Sequence, residues 1–545
     1  SLTITPVLNV LLHRKNAREG KFYRKTEPFF KGMENGYKNL LTSFIKVKWA
    51  AWIIIVVCIA MIWFFFGHLK SELAPMEDKS SIRFSLTAPE GTSYDYTQKL
   101  ADELADYLYD SLPERTFAFS ATPSFSGTGV NSGYGRVGLV DPPDRTRSQS
   151  EITNDLNKKL KRFNDAKIFT IEEQTIAAGS GRGGLPVQFV IQNLDFDKIK
   201  EVLPKFLEEA RKDPTFQNVD ENLKFNKPEL QLTVDRIKAK DLGLSSTEIT
   251  SVVQSAFSGR RMAYFLMHGK QYQVIGQVER SDRDKPSDID KLYVRNDKGE
   301  NIPLSAVVKM EENSEPPTLY HYNRFKSATV SASLAEGKTI GDGIAAMKAI
   351  AAKTLDPSFQ TALTGASRDF EESSSNTSFA FGLALLLIYL VLAAQFESFS
   401  DPLTIMFTVP LALAGALLSL YVLGQTLNIF SQIGMIMLVG LVTKNGILIV
   451  EFANQKRLQG MGKKEAVIEA ATQRLRPILM TTLATSLGAL PIAISLGAAS
   501  TSRMPLGTVI VGGLLFSLFL TLLVIPAIYM YLSGKHKAHV THISE

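Results

Sequence analysis

Long apolar segments lie near both ends of the chain and flank a polar region of roughly 300 residues. About 20 consecutive apolar residues are enough for a helix to cross a lipid bilayer. Segments of this kind predict membrane-spanning helices at residues 49–66, 377–394, 402–423, 429–452, 477–496 and 507–532. The fifth of them is more polar than the others, but it contains no charged residue and is therefore included.

The part of the chain before the first span has two regions. Residues 1–12 are mostly apolar and are predicted to be the end of a preceding transmembrane helix, whereas 13–48 form a cytoplasmic interfacial region. Between residues 28 and 48 the apolar side chains recur at helical spacing, with charged side chains on the opposite face. Because a span follows directly, this amphipathic helix is predicted to lie along the membrane interface. A helix in a soluble core is the alternative.

The polar region alternates between strand and helix patterns. Residues 70–175 follow the order strand, helix, strand and then the same order again, which predicts a ferredoxin-like unit of βαβ halves. A second such unit is predicted at 176–240 and 320–370, with ELQLTV (229–234) as one of its strands, and 241–319 is predicted to be an insertion. The predicted fold class is therefore a membrane protein with an all-α transmembrane bundle and a large α+β region.

The distribution of charge predicts how the chain is oriented. Basic residues cluster beside the apolar segments in 14–48, in 453–476 and in the tail 534–545. Six crossings place these regions on one side, which the positive-inside rule identifies as cytoplasmic. The polar region then lies on the other side, between a helix at 49–69 and five helices in 371–533. The net charge of +6 fits this orientation better than binding to nucleic acid.

Motifs for common catalytic and metal chemistry are absent from the sequence. It contains no HExxH, CxxC, Walker or nucleophile-elbow pattern, which argues against a hydrolase or an ATP-driven transporter. The tail contains three histidines, His536, His539 and His542, for which a polar terminus is a better interpretation than a metal site. Cys58 is the only cysteine, so no disulfide framework is possible. No metal and no organic cofactor is predicted.

Glycine is concentrated in two segments of the polar region, at 124–135 and 179–184. The first does not end in Lys-Ser or Lys-Thr and does not open a helix, so a nucleotide site is not predicted. A flexible loop beside a binding cleft, with Gly127, Gly129 and Gly133, is the preferred interpretation. A plain connecting segment is the alternative.

Lys444 lies in the middle of an apolar span. A charge at the centre of a membrane helix costs about 2.5–3.5 kcal/mol on insertion scales. Its ammonium group is about nine residues, or about 14 Å, from the polar end of the span, which is too deep for easy snorkelling. Glu451 is two helical turns away, and no other predicted span contains an internal acid. The counter-charge must therefore come from outside these residues, either as a static ion pair or as part of a titratable relay.

Several motifs carry a resemblance to a known family. They are LVTKNGILIVEFANQ (441–455), RLRPILMTTLATSLGALPIAI (474–494), LAAQFESF (392–399) and LAPMEDKSSIRFSLTAPEGTS (73–93). Together with the layout of the whole chain, they resemble the C-terminal half of a resistance–nodulation–division (RND) efflux pump of the hydrophobe/amphiphile branch.

The resemblance implies a substrate/proton antiporter rather than an enzyme, in the inner membrane of a Gram-negative bacterium. Such a pump is a homotrimer of two-halved chains with large periplasmic porter domains, and protons are its coupling ion. It works with a periplasmic adaptor protein and an outer-membrane channel, and it exports drugs, dyes and detergents. The N-terminal half supplies the aspartates opposite the intramembrane lysine, so this half alone is not expected to pump.

Individual residues are assigned through the same resemblance. Lys444, Arg474 and Thr481 match the proton relay of the family. Phe125, Phe189 and Ile191 match residues of its substrate pocket, the last two on one face of a strand, although Phe189 in an ordinary sheet core is an equal alternative. The insertion 241–319 corresponds to a docking subdomain. Proton entry is expected to move the helices as rigid bodies, hinged near 70–78 and 365–376.

Three further functions share this topology. A lipid transporter or a non-pumping membrane receptor would use the lysine as a fixed structural ion pair. A heavy-metal exporter would need soft ligands, and methionines would suit copper or silver. No Met occurs between Met76 and Met262, the stretch that contains the candidate pocket, so metal export is less favoured.

Overall fold

The computed structural model describes residues 4, 7–8, 21–123, 129–172, 175, 185–316, 318–495 and 501–534. Its helices are α1 (Lys21–Lys46), α2 (Ala50–His68), α3 (Tyr94–Ser111), α4 (Gln149–Lys159), α5 (Phe196–Lys212), α6 (Arg236–Asp241), α7 (Ser246–Val253), α8 (Ile340–Thr354), α9 (Gly365–Phe396), α10 (Ser400–Met406), α11 (Thr408–Val422), α12 (Ile429–Leu458), α13 (Lys463–Ala493) and α14 (Met504–Leu532). Its strands are β1 (Ser81–Thr87), β2 (Arg115–Ala121), β3 (Ser132–Leu139), β4 (Lys167–Glu172), β5 (Val187–Asn193), β6 (Phe216–Glu221), β7 (Lys227–Val234), β8 (Arg260–Met267), β9 (Lys270–Gly276), β10 (Tyr293–Arg295), β11 (Asn301–Pro303), β12 (Val308–Glu315), β13 (Tyr320–Tyr322), β14 (Phe325–Leu334) and β15 (Gln360–Leu363).

Six helical segments of the described chain are long and apolar enough to cross a membrane, which confirms the six predicted spans. They are Ala50–His68, Gly365–Phe396, Ser400–Val422, Ile429–Leu458, Lys463–Ala493 and Thr501–Leu532. The fifth is much longer than predicted because α13 begins in the charged segment before residue 477, where helix formation does not require apolar side chains. The predicted preceding helix at 1–12 lies almost entirely outside the described residues.

Helix α14 lies at the centre of the bundle and packs against α11, α12 and α13. Close approach depends on small residues, as expected where helices associate within a membrane. At Gly507, for example, an added Cβ would overlap the backbone nitrogen of Ala493 on α13. Helix α1 packs against one end of the bundle through Leu41 and Ile45, while Phe29 is exposed. The predicted amphipathic helix is therefore present, and its location at a membrane interface stays a prediction.

The first α/β unit contains β1 to β4 with α3 and α4. Its antiparallel sheet has the order β2-β3-β1-β4, and both helices pack on the same face, where Leu104 and Leu156 meet Ile82 and Leu86. A capping box sets the start of α4: the backbone N–H of Glu151 donates to Oγ of Ser148 at 3.2 Å, and its carboxylate accepts from the backbone of Ser148 at 2.8 Å.

The second unit repeats this arrangement with β5, β6, β14 and β15. Strand β14 pairs with β5 and with β6, and β15 pairs with β5, which gives the same relative order as in the first unit. The prediction that residues 229–234 belong to this sheet is wrong, because β7 pairs with β12 in a separate two-stranded ribbon. Phe216–Glu221 takes the predicted place instead. The insertion therefore spans 222–319 rather than 241–319.

Two connections join the α/β region to the membrane helices. After α2, the chain runs parallel to the loop between α11 and α12: the N–H of Leu427 donates to the carbonyl of Lys70 at 2.8 Å, and the N–H of Glu72 donates to the carbonyl of Leu427 at 3.1 Å. Farther on, Asp78 forms an ion pair with Arg145, which is buried in the first unit. This connection is therefore fastened to the bundle at one end and to the first unit at the other.

The second connection is helical. Residues 365–376, where a hinge was expected, form the first turns of α9, which continues without a break into its span. The buried hydroxyl of Ser367 accepts a hydrogen bond from the N–H of Gln188 at 3.0 Å and so attaches α9 to β5. Motion at this connection must bend a helix or displace it together with the second unit.

Glu72 offers a test of how the first connection is held. Its carboxyl group accepts a hydrogen bond from Thr426 in the α11–α12 loop. Burial raises its pKa above the usual 4.5, and the hydrogen bond from Thr426 opposes this shift. Because the folded state disfavours the ionised form, the stability that Glu72 contributes at low pH is lost as the pH rises through its folded pKa. We expect Glu72→Gln to raise the melting temperature at pH 7.5 by a few degrees, and to have little effect near pH 4.

Glu336→Gln is the matched control for this prediction, because Glu336 is an exposed glutamate in a loop of the second unit. It should leave the melting temperature unchanged at both pH values. A loss of stability at pH 7.5 in the Glu72 variant would contradict the expected sign.

Candidate functional site

Lys444 lies near the middle of α12, on the face of that helix that the rest of the described chain leaves uncovered. Its neighbours in sequence, Thr443 and Asn445, are buried, being 4 % and 2 % exposed. Exposed residues recur every three or four positions from Ile433 to Lys444, and again at Glu451 and Gln455, with half-buried residues between these two groups. We call this face the lysine face. The lysine face consists of Ile433, Met437, Gly440, Lys444, Glu451 and Gln455.

No carboxylate among the described residues lies within 4.0 Å of Nζ of Lys444. At Gly440, one turn away on the lysine face, an added Cβ would meet no atom within 4 Å. Among the described residues the face is therefore open, and it carries a cation near the middle of a helix long enough to span a membrane. A cation without a nearby acid is unfavourable at such a position in a membrane-spanning helix.

Thr481 lies in the same layer of the bundle as Lys444. The side-chain amide of Asn445 donates to Oγ1 of Thr482 at 3.3 Å, and both residues are buried. The residues that precede these two are Lys444 and Thr481, so the contact between α12 and α13 brings the two predicted relay positions to one level. The hydroxyl of Thr481 itself donates to the carbonyl of Ile478 at 3.2 Å.

Arg474 lies nearer the end of the bundle against which α1 packs. Its guanidinium stacks over the ring of Phe452 at 4.4 Å from the ring centre. Phe452 follows Lys444 by eight residues, which corresponds to about 12 Å along the helix axis. The structure therefore places two of the predicted relay residues in one layer and the third about two turns away.

A buried polar cluster joins three helices at this end of the bundle. The amide of Asn454 on α12 donates to Asp401 of α10 at 2.9 Å, and the hydroxyl of Tyr529 on α14 donates to the amide oxygen of Asn454 at 2.5 Å. Arg457 donates to the hydroxyl of Tyr529 at 3.3 Å. Asp401 is only 1 % exposed. Sequence reasoning missed this acid because it immediately precedes the predicted span 402–423.

The predicted substrate pocket is not assembled as expected. Phe189 and Ile191 are each 1 % exposed and belong to the core of the second unit, where the ring of Phe189 stacks on that of Phe206 at 5.9 Å. The prediction that they line a cleft is therefore wrong: the helix-covered face of β5 is the face on which they lie. Phe125 and Gly127 lie outside the described residues. Gly133 belongs to β3 rather than to a loop. Of the three predicted loop glycines, only Gly129 lies in the described residues and outside a strand.

An aromatic patch lies on the face of the first sheet opposite its helices. Phe117 and Phe119 on β2 are 46 % and 43 % exposed, and their rings are 6.4 Å apart. The ring of Tyr134 on β3 meets Phe119 edge-on at 6.2 Å. Sequence reasoning missed these residues, although their alternation in ERTFAFSATP was a sufficient signal that both point to the same face.

Several known proteins are similar to this chain over most of its length. Residues 1–533 match the model of the AcrB/AcrD/AcrF family. An uncharacterized transporter of Haemophilus influenzae is 33 % identical over 547 residues, covering 98 % of this chain and 52 % of the relative. The multidrug resistance proteins MdtC of Proteus mirabilis and Escherichia coli are 28 % and 29 % identical, over 98 % and 97 % of this chain and 52 % of each relative.

The chain thus spans about half the length of the curated relatives that it matches. The six apolar helices among the described residues and these relatives indicate an inner-membrane protein. Since the family match covers nearly all of the sequence, this chain belongs to the AcrB/AcrD/AcrF family of RND transporters.

Proposed function

We propose that this chain is the C-terminal half of a proton-driven exporter of hydrophobic or amphiphilic compounds. The observation that carries the proposal is Lys444, a mid-membrane cation on an open helix face with no acid of the described residues beside it. A second half that supplies carboxylates would cover the lysine face and neutralise this charge. The chain would lie in the inner membrane of a Gram-negative bacterium, with its α/β region in the periplasm.

Protonation of those carboxylates would couple ion entry to motion. While they are ionised, they attract the ammonium group of Lys444 across the contact between the halves. When they take up protons from the periplasm, this attraction is lost and the two halves shift relative to each other. When the carboxyl groups release their protons to the cytoplasm, they become ionised again and attract Lys444 as before. Protons are the only coupling species required, and no cofactor takes part.

The way α12 is held favours movement of this half as a rigid body. Asn445 attaches α12 to α13, and Asn454 attaches it to α10 and α14. At its other end, Asn428 caps α12 directly after the loop that pairs with residues 70–73. A displacement of α12 would therefore reach the first α/β unit through that connection. Arg474 and Thr481 are proposed to tune the charge and packing around Lys444.

The two α/β units are proposed to be ferredoxin-like porter subdomains, because both have helices on one face of a sheet with the same strand order. We propose the aromatic patch of Phe117, Phe119 and Tyr134 as a substrate contact. Flat apolar rings suit diverse hydrophobic compounds, since dispersion and desolvation need little directional fit. The substrate pocket would close against this open face of the first sheet.

Truncation of the patch tests this assignment. Phe119→Ala should weaken the export of hydrophobic dyes about tenfold, because removing a partly buried phenyl contact costs about 1.5 kcal/mol of binding. Dye efflux from cells that express the complete pump is the measurement. Tyr96→Ala removes an equally exposed ring from α3 and should leave efflux unchanged. Equal efflux in both variants would show that the patch does not contact substrate.

The insertion 222–319 is proposed to dock partner proteins. Its hairpin of β8 and β9 exposes large apolar side chains on both faces, among them Met262, Leu266 and Ile275. An isolated two-stranded hairpin is marginal in water, which favours a protein partner for it. The proposed partners are the periplasmic adaptor and the outer-membrane channel, within a trimeric assembly.

The experiment that tests the proposed function is proton flux in proteoliposomes containing the complete pump. Addition of a hydrophobic substrate should produce proton movement that stops when the substrate is removed. Binding of substrate without proton movement would favour a membrane receptor. Movement of lipid between leaflets without any response to drugs would favour a lipid transporter of the same topology.

A further inference from the structure

Three cations surround the end of α14 at the end of the bundle that carries α1. Nζ of Lys48 lies over the ring of Tyr531, 4.6 Å from its centre. Arg457 donates to Oγ of Ser533 at 2.8 Å, and Lys463 donates to the carbonyl of Ser533 at 2.7 Å. We call Lys48, Arg457 and Lys463 the basic cluster. Its members come from three separate parts of the chain, so the fold brings them together.

The positive charge of the basic cluster is not balanced by the part of the chain that the structure describes. None of its three side chains forms an ion pair with a described carboxylate. One acid, Asp401, is close enough to attract Lys463, but it is 1 % exposed and carries a single charge against the three cations. Hydroxyl, carbonyl and aromatic groups satisfy the cations locally, but these partners are neutral. The cluster therefore keeps an excess of positive charge at the surface.

An exposed apolar stripe begins beside the basic cluster. The ring of Trp52 on α2 meets Tyr531 edge-on at 6.3 Å and Phe407 at 5.4 Å. Trp49, Trp52 and Val56 follow each other at helical spacing and are 59 %, 38 % and 62 % exposed. This stripe continues along the membrane span of α2, whereas the cations lie only at its end. Tryptophan and tyrosine at such a position mark the level of lipid headgroups.

We propose that the basic cluster binds the headgroup phosphate of an anionic phospholipid, with an acyl chain along Trp52 and the stripe on α2. Charge complementarity favours an anionic lipid over a zwitterionic one, because a zwitterionic headgroup also carries a positive charge that the basic cluster would repel. Lys48 is the most available donor, because among the described residues its Nζ contacts only the ring face of Tyr531. The positive-inside rule predicts that the basic cluster lies on the cytoplasmic side, where anionic lipids attract basic residues. This inference does not depend on whether the protein pumps protons.

Native mass spectrometry of the full chain in detergent, titrated with phosphatidylglycerol or phosphatidylcholine, tests the proposal. The wild type should retain phosphatidylglycerol in preference to phosphatidylcholine. Lys48→Gln should weaken retention of phosphatidylglycerol about fivefold, the effect expected for one basic residue at a charged membrane surface. Lys48→Arg should restore it. Lys46→Gln removes a neighbouring exposed lysine that lies outside the cluster and should change retention little.

Three results would overturn the proposal. Equal losses in Lys48→Gln and Lys46→Gln would indicate general attraction to basic residues rather than a site. Equal retention of both lipids by the wild type would mean that the basic cluster is covered or does not distinguish anionic from zwitterionic headgroups. Displacement of the lipid by millimolar glycerol phosphate would identify a free phosphate ester, rather than a membrane lipid, as the ligand.

Discussion

Replacing Lys444 by Ala is expected to reduce export to the level of cells without the pump, while leaving the protein folded and assembled. The side chain is exposed on the lysine face and makes no ion pair with any described residue, so its loss removes no packing within this half. What disappears is the cation that, in the proposed mechanism, responds when carboxylates across the contact gain or lose protons. Drug efflux from intact cells and substrate-linked proton flux in proteoliposomes are the two measurements.

The control for this experiment lies on the same helix face. Gln455→Ala truncates another exposed residue of the lysine face, three turns from Lys444, and should leave efflux unchanged. Blue-native electrophoresis of both variants checks that each assembles as the wild type does. Retained efflux in an assembled Lys444→Ala variant would rule out the relay role, even if export by the wild type is proton-driven.

The membrane half of the fold was predictable because its signal is simple. Spans depend on the length and hydropathy of single segments, and no tertiary contact is needed to recognise them. The same holds for the first α/β unit, whose strands and helices are amphipathic and separated by clear turns. The absence of an acid beside Lys444 among the described residues was also predictable, since the remaining spans lack internal acids.

The errors occur where long-range pairing decides the outcome. Strands β6 and β7 lie close together in sequence, and ELQLTV has the stronger strand pattern, but only β6 pairs with β14. Similarly, the alternation of side chains along a strand placed Phe189 and Ile191 on one face of β5, but it did not indicate which face α5 covers. Local patterns fix a side chain relative to its own strand, whereas burial depends on what packs against that strand.

Asp401 is a third residue position that the sequence did not predict correctly. A single acid beside a predicted span is normally assigned to a loop, where it would be hydrated. In the folded chain α10 begins earlier, and Asn454 and Tyr529 from two other helices form the polar surroundings that the acid requires. Those partners are distant in sequence, so no local pattern could reveal the cluster.

The Asp401 cluster leads to the largest expected effect on stability. Asn454→Asp places a second carboxylate against a buried one and removes the amide that donates to Asp401. Two buried acids in contact repel each other, and the acceptor that remains is left without its donor. We expect a loss of about 3 kcal/mol in the free energy of unfolding, seen as a melting temperature several degrees lower in detergent.

Exchanging the two residues separates this local effect from general damage. In the double variant Asp401→Asn/Asn454→Asp, an amide again donates to a carboxylate, and the hydroxyl of Tyr529 still has an acceptor at position 454. Most of the lost stability should therefore return. Gln455→Glu adds the same charge at the next, exposed position and should cost no more than about 0.5 kcal/mol.

If the double variant were as unstable as Asn454→Asp, or if Gln455→Glu were equally harmful, the hydrogen bond between Asn454 and Asp401 would not be what holds α12 to α10. In that case the rigid attachment of α12 to its own half, on which the coupling proposal depends, would have to rest on apolar packing and the contact between Asn445 and Thr482 alone.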